Sequence, residues 1–113
     1  MSESTVEQAV EAHMSGDTLV LVLAGELDLF ASLQCGPQID RALTSQPRRT
    51  VVDLRRVTFL DCSGLALLLR VRGQAARWGG ELALHCPDRR ALRILQYVDV
   101  VVPLTFVEVL LEG

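Results

Sequence analysis

Asp61, Cys62, Ser63 and Gly64 stand in a row inside VTFLDCSGLALLLRVRG, residues 57–73. A carboxylate, a thiol and a hydroxyl thus break a run that is otherwise almost wholly apolar. Three kinds of chemistry use such groups. An aspartate or serine ahead of a helix caps amides that have no partner in the helix. A serine there is a candidate phosphate acceptor, because a helix N-terminus favours anions. A cysteine there is a candidate nucleophile, because the same field lowers a thiol pKa. The patterns of known nucleophiles fit poorly. Gly64 follows Ser63 directly, whereas the G-x-S-x-G elbow separates them, and no histidine lies nearby in sequence. A cysteine phosphatase loop ends in arginine five or six residues past its cysteine, and those positions are Leu67 and Leu68. A small packing role is the commoner use of a cysteine like Cys62. The chain is therefore expected not to be an enzyme.

A strand must lead into these residues and a helix must follow. On a helical wheel, Gly64, Leu67, Leu68, Val71, Ala75 and Trp78 share one face, with the i, i+3, i+4, i+7 spacing of a core stripe. Ala66, Arg70, Gly73 and Arg77 lie opposite. Leu65, Leu69, Arg72 and Ala76 form a flank between them. The spacing predicts a helix from about Ser63, with Ser63 on an exposed loop tip at the helix mouth.

The remaining elements follow from apolar runs and breakers. Strands are expected at about 6–13, 18–24, 50–54 and 81–86. The turn SGD at 15–17 joins the first two. Leu29, Leu33, Ile39 and Leu43 suit the core face of a helix capped by Asp28 or Ser32. Pro37 is expected to kink that helix or to mark its true start. A helix over 87–98, a strand broken by Pro103 and a short terminal helix complete the chain. The order is β-β-α-β-α-β-α-β-α. It predicts an α/β fold, a mixed sheet of four or five strands with about four helices, the middle strands parallel and the crossovers right-handed.

Composition narrows the function. One domain over 1–113 is expected, with residues 1–5 as a disordered N-terminus. Half of the residues are hydrophobic, 22% are charged and the net charge is −3. That balance argues against a nucleic-acid binder. All eleven basic residues are arginine. Arg41, Arg48, Arg49, Arg55 and Arg56 cluster in RALTSQPRRTVVDLRR, where solvated charges are the simpler reading and a docking patch for an acidic partner the sharper one. Cys35, Cys62 and Cys86 are far apart, and the histidines His13 and His85 offer no ligand spacing. Neither a metal site nor a disulfide framework is expected, and no cofactor; a reducing cytoplasm is. No apolar run is long enough for a bilayer, so no membrane partner is expected.

VVDLRRVTFLDCSGLALLL resembles the signature of STAS domains, shared by anti-sigma factor antagonists and the cytoplasmic ends of sulphate transporters. LVLAGELDLFAS resembles the second landmark of that family, a strand ending in Gly-Glu-Leu-Asp followed by a helix. The resemblance covers about residues 6–112. It implies that Ser63, just before the glycine, is phosphorylated by a cognate anti-sigma factor that is a serine kinase. Asp61 and Asp28 match the aspartates that neighbour such a site. Cys62 stands where the family has Ser or Thr. The resemblance further implies partner switching: the unmodified protein binds the kinase and frees a sigma factor, the phosphorylated form does not bind, and a metal-dependent phosphatase resets it. Leu65, Leu69 and Arg72, on the flank beside Ser63, are the expected partner surface. The competing expectation is an unphosphorylated STAS module serving as a scaffold, or as a subunit of a signalling or of a lipid or anion transport complex.

Overall fold

The computed structural model describes residues 10–86. Strand β1 (Val10–Ser15) turns through Gly16 and Asp17 into strand β2 (Thr18–Leu27). Gly16 takes φ of +65°, a left-handed conformation that favours glycine in two-residue hairpin loops. Helix α1 (Leu29–Leu43), strand β3 (Arg49–Leu60), helix α2 (Cys62–Ala76) and strand β4 (Glu81–His85) follow. The helix, strand and helix expected beyond residue 86 lie outside the described residues.

The four strands form one sheet in the order β1-β2-β3-β4. β1 runs antiparallel to β2, whereas β2–β3 and β3–β4 are parallel. The mixed sheet with parallel middle strands agrees with the expectation. Parallel neighbours need crossovers, and α1 and α2 supply them. Both helices contribute to one core, so they cover the same face of the sheet. Along β2 and β3 the inward positions alternate: Leu19, Leu21 and Leu23 on one strand, Val52 and Leu54 on the next. Each fully buried leucine stabilises the fold by about 1.5–3 kcal/mol relative to exposure. β3 is longer than the sequence implied, and only Arg49–Asp53 pairs with β4. Its second half runs on beside β2, with two register shifts, to bring Leu60 level with Leu27.

α1 corrects the sequence reading. Its buried stripe is Ala31, Cys35, Ile39 and Leu43, while Leu29 and Leu33 face water. The cap decides this phase. Asp28 accepts a hydrogen bond from the Ala31 amide at 2.9 Å, which starts the helix at Leu29 and turns the small residues inward. The helix also runs through Pro37 without a break. Proline removes the hydrogen bond to Leu33, whose side is exposed, so water is available to that carbonyl.

α2 follows its wheel at Gly64, Leu67, Leu68, Val71 and Ala75, which are buried, but Leu65, placed on the flank, is buried as well. Its far end is closed by Gly79 (φ +76°), and the Gly80 amide donates to the Ala75 carbonyl at 2.9 Å. The Trp78 indole N–H donates to the Pro47 carbonyl at 2.8 Å, tying that end to the loop before β3. Between the helices, Arg70 and Gln74 both bond the Asp40 carboxylate.

Candidate functional site

Parallel strands β2 and β3 finish side by side at Leu27 and Leu60. Each is followed by an aspartate and then by a helix. The N-termini of α1 and α2 therefore lie together at one end of the molecule, Asp28 capping the first and Asp61 the second. The Asp61 carboxylate accepts from the amides of Ser63 (2.9 Å) and Gly64 (3.1 Å). The Ser32 hydroxyl, in the first turn of α1, donates to the Ser63 carbonyl at 3.2 Å. The Ser32 amide in turn donates to the Asp28 carbonyl at 2.9 Å. Asp28, Ser32, Ser63 and Asp61 thus form one bonded chain across the two helix starts.

Gly64 fixes how close these helices come to the sheet. A Cβ on residue 64 would lie 2.3 Å from the Leu27 carbonyl oxygen and 2.5 Å from Leu60 Cδ1. Only glycine lets α2 start against the end of β2, and that contact sets where Ser63 sits. Ser63 itself is the second residue of α2, half-buried, not the tip of an exposed loop as the sequence implied. The helix begins one residue earlier because the Asp61 side chain, rather than that of Ser63, is the cap. No residue among those described hydrogen-bonds the Ser63 hydroxyl. Cys62, the first residue of α2, is exposed, and Cys35 and Cys86 are buried. Burial pushes the Cys35 thiol up, away from reactivity.

The structure separates the expected partner surface. Leu65 belongs to the hydrophobic core, Leu69 packs half-buried against it and only Arg72 is exposed. Arg72 also lies nine residues beyond Ser63, or about 14 Å along a helix rising 1.5 Å per residue. Leu65 is therefore corrected from a docking residue to a core residue. Large exposed apolar residues stand instead on the other helix: Leu29, Phe30 and Leu33 flank Ser32, whose hydroxyl bonds the Ser63 carbonyl. The signal was present in LFASL, where large apolar residues surround the small ones that the helix buries.

The arginine cluster disperses. Arg48 approaches Asp17, Arg56 approaches Glu11 and Arg55 grips the buried Asp53 with two nitrogens. Arg49 lines a cleft of about 540 Å³ together with Arg72, Glu81 and the small residues Gly73 and Ala76. That cleft lies at the opposite end of α2 from Ser63.

Comparisons with known proteins bear on the fold and the family. Residues 10–108 match the family described as "Mlab, STAS domain". A STAS-domain containing protein of Pseudomonas aeruginosa (strain UCBPP-PA14) is 40% identical over 68 residues, which cover 60% of this chain and 63% of that protein. The match thus spans less than two thirds of the relative's length. Among solved structures, the Bacillus anti-sigma factor antagonist SpoIIAA in its unphosphorylated form superposes with a TM-score of 0.69 and 23% identity, covering 90% of each chain. A Thermotoga maritima protein described as a putative anti-sigma factor antagonist gives a TM-score of 0.78 at 16% identity, covering 89% of this chain and 87% of that one. At such identities these structures speak to the fold. The family match extends over nearly all of the sequence, and the chain belongs to the STAS domain family.

Proposed function

We propose that this protein is a cytoplasmic anti-sigma factor antagonist whose binding to an anti-sigma factor serine kinase is switched off by phosphorylation of Ser63. The observation that carries this reading is the place of Ser63 in the first turn of a helix capped by Asp61 and bonded through Ser32 to a second capped helix start. The fold it shares with SpoIIAA, a protein known in both unphosphorylated and phosphorylated forms, supports it. The chain acts as a binding module, and a separate metal-dependent phosphatase removes the phosphate. Asp28, Asp61, Cys62 and Gly64 are the immediate neighbours of the acceptor.

The electrostatics follow from the caps. A phosphate adds about −1.5 to −2 charge near neutral pH. The Ser63 and Gly64 amides are already bonded to Asp61, so they give the new charge little compensation. It adds to the carboxylates of Asp61 and Asp28 at one end of the molecule. A partner acid about 4 Å away would meet roughly 4 kcal/mol of repulsion per unit charge at an effective dielectric of 20. That is on the order of a thousandfold in affinity. The helix dipole returns about 0.3–1 kcal/mol within the free protein, so the fold survives the modification.

The test is direct. The chain is incubated with Mg-ATP and the anti-sigma factor serine kinase of the same genome, and the phosphate is located by mass spectrometry. Phosphate on Ser63, with Ser63→Asp binding the kinase at least a hundredfold more weakly, is the expected result. Tight binding by Ser63→Asp, or no phosphate on Ser63, sinks the switch and favours an unmodified STAS subunit of a signalling or transport assembly.

A further inference from the structure

Leu29, Phe30 and Leu33 are 61%, 66% and 68% exposed. Residues 29 and 33, and 30 and 33, are helix neighbours at i+4 and i+3, so the three side chains form one continuous apolar patch. Three large apolar side chains mostly in water on one helical turn mark an interaction surface rather than scattered exposure. The patch is continuous with the acceptor serine. Ser32, inside the same turn, donates to the Ser63 carbonyl.

Among the described residues, the charge beside the patch has one sign: segments 26–33 and 57–65 build this end of the molecule, and they contain Glu26, Asp28 and Asp61 but no basic residue. Glu26 is exposed and sits level with Phe59, itself 47% exposed, at the ends of β2 and β3. A second copy of this chain would bring two acidic rims together, which disfavours self-association.

We infer that the first turn of α1, with Leu29, Phe30 and Leu33, is the docking surface for the kinase that modifies Ser63, and that the kinase meets it with an apolar patch rimmed by basic residues. The inference rests on the partner-switching reading above and deepens it. The partner surface lies on α1, not on the α2 flank of Leu65 and Leu69. The basic rim meets Glu26 and the two capping aspartates, whereas phosphate on Ser63 acts on the partner acid that faces the serine and places bulk beside the apolar contact through Ser32.

The experiment measures binding of the purified anti-sigma factor serine kinase of the same genome to wild-type chain, Phe30→Glu, Leu33→Glu, Ser63→Asp and Met14→Glu. Met14 is an exposed residue of β1, outside the patch, and serves as the control. Far-ultraviolet circular dichroism and melting verify that each variant is folded. Phe30→Glu and Leu33→Glu are expected to weaken binding roughly 30-fold or more, the scale of hot-spot residues, with Met14→Glu unchanged. Raising salt is expected to slow association. Patch variants that bind within twofold of wild type overturn the docking surface, even if Ser63→Asp still weakens binding. The reverse result, patch variants impaired and Ser63→Asp as tight as wild type, keeps the docking surface and sinks the phosphate switch. A wild-type dimer that Phe30→Glu dissolves makes a second copy the occupant and overturns the inference. A kinase that ignores the wild-type chain overturns both.

Discussion

Gly64 and Cys62 sit on either side of Ser63 and answer to different constraints. Gly64 is held by packing: its missing side chain makes room for the Leu27 carbonyl oxygen and for Leu60. The backbone oxygen cannot swing away as a flexible side chain could. Gly64→Ala is therefore expected to destabilise the fold by about 1–3 kcal/mol, the usual cost of overpacking, despite the better helix propensity of alanine. Urea unfolding of the variant measures it, and unchanged stability would mean that the helix start slides without cost. Cys62 is held by nothing comparable. It is exposed where Cys35 and Cys86 are buried, so one equivalent of iodoacetamide should label Cys62 in the native protein. Peptide mapping checks this, and early labelling of Cys35 would contradict its burial. Much of this was legible in the sequence, because Asp-Cys-Ser-Gly between apolar runs identifies a capped helix start by residue type alone. The assignment of the cap to Asp61, which moved Ser63 from a loop tip into the helix, required the hydrogen-bond geometry.

The two helices show where pattern reading succeeds and where it slips. α2 carries so many leucines that its phase is overdetermined, and the wheel placed its buried stripe correctly except at Leu65, which is buried too. α1 offers the large residues Leu29, Phe30 and Leu33 and the small ones Ala31, Cys35 and Gly36, and hydrophobicity alone favours burying the large set. The Asp28 cap and the close approach of α1 to its neighbours select the small set instead. At Gly36 a Cβ would already lie 3.3 Å from the Arg70 guanidinium. The caps should therefore carry measurable stability. Asp61 satisfies two amides and Asp28 one. Asp61→Ala is expected to cost about 1–2 kcal/mol and Asp28→Ala about 1 kcal/mol, with asparagine at either position restoring most of it. Denaturant midpoints read the difference, and an asparagine no better than alanine would refute capping as the cause.

At the scale of the molecule, β3 couples the helical core to β4, and its one buried charge tunes how acid acts on the whole fold. Asp53 is 3% exposed, accepts from the Arg55 amide at 3.0 Å and is gripped by the Arg55 guanidinium, with His85 opposite it on β4. Burial alone would raise its carboxyl. The hydrogen bonds and charge of Arg55, with a smaller contribution from His85, outweigh burial and hold it below the ordinary aspartate range. A carboxyl depressed in the folded state binds its proton more readily when unfolded. Its stabilisation is complete above the unfolded value of about 3.9 and is lost as pH falls through the lower folded value. Stability from this pair should thus be level from about pH 5 to 8 and decline below about pH 4. Arg55→Ala leaves the backbone amide and His85 in place but removes the guanidinium, so the Asp53 carboxyl should lie higher than in the wild type. The folded and unfolded values then differ less in the stabilising direction, and the variant should lose less stability than the wild type as pH falls below about 4. Urea unfolding from pH 3 to 8 separates the two proteins, and parallel profiles for wild type and Arg55→Ala would show that Arg55 does not set the ionisation of Asp53.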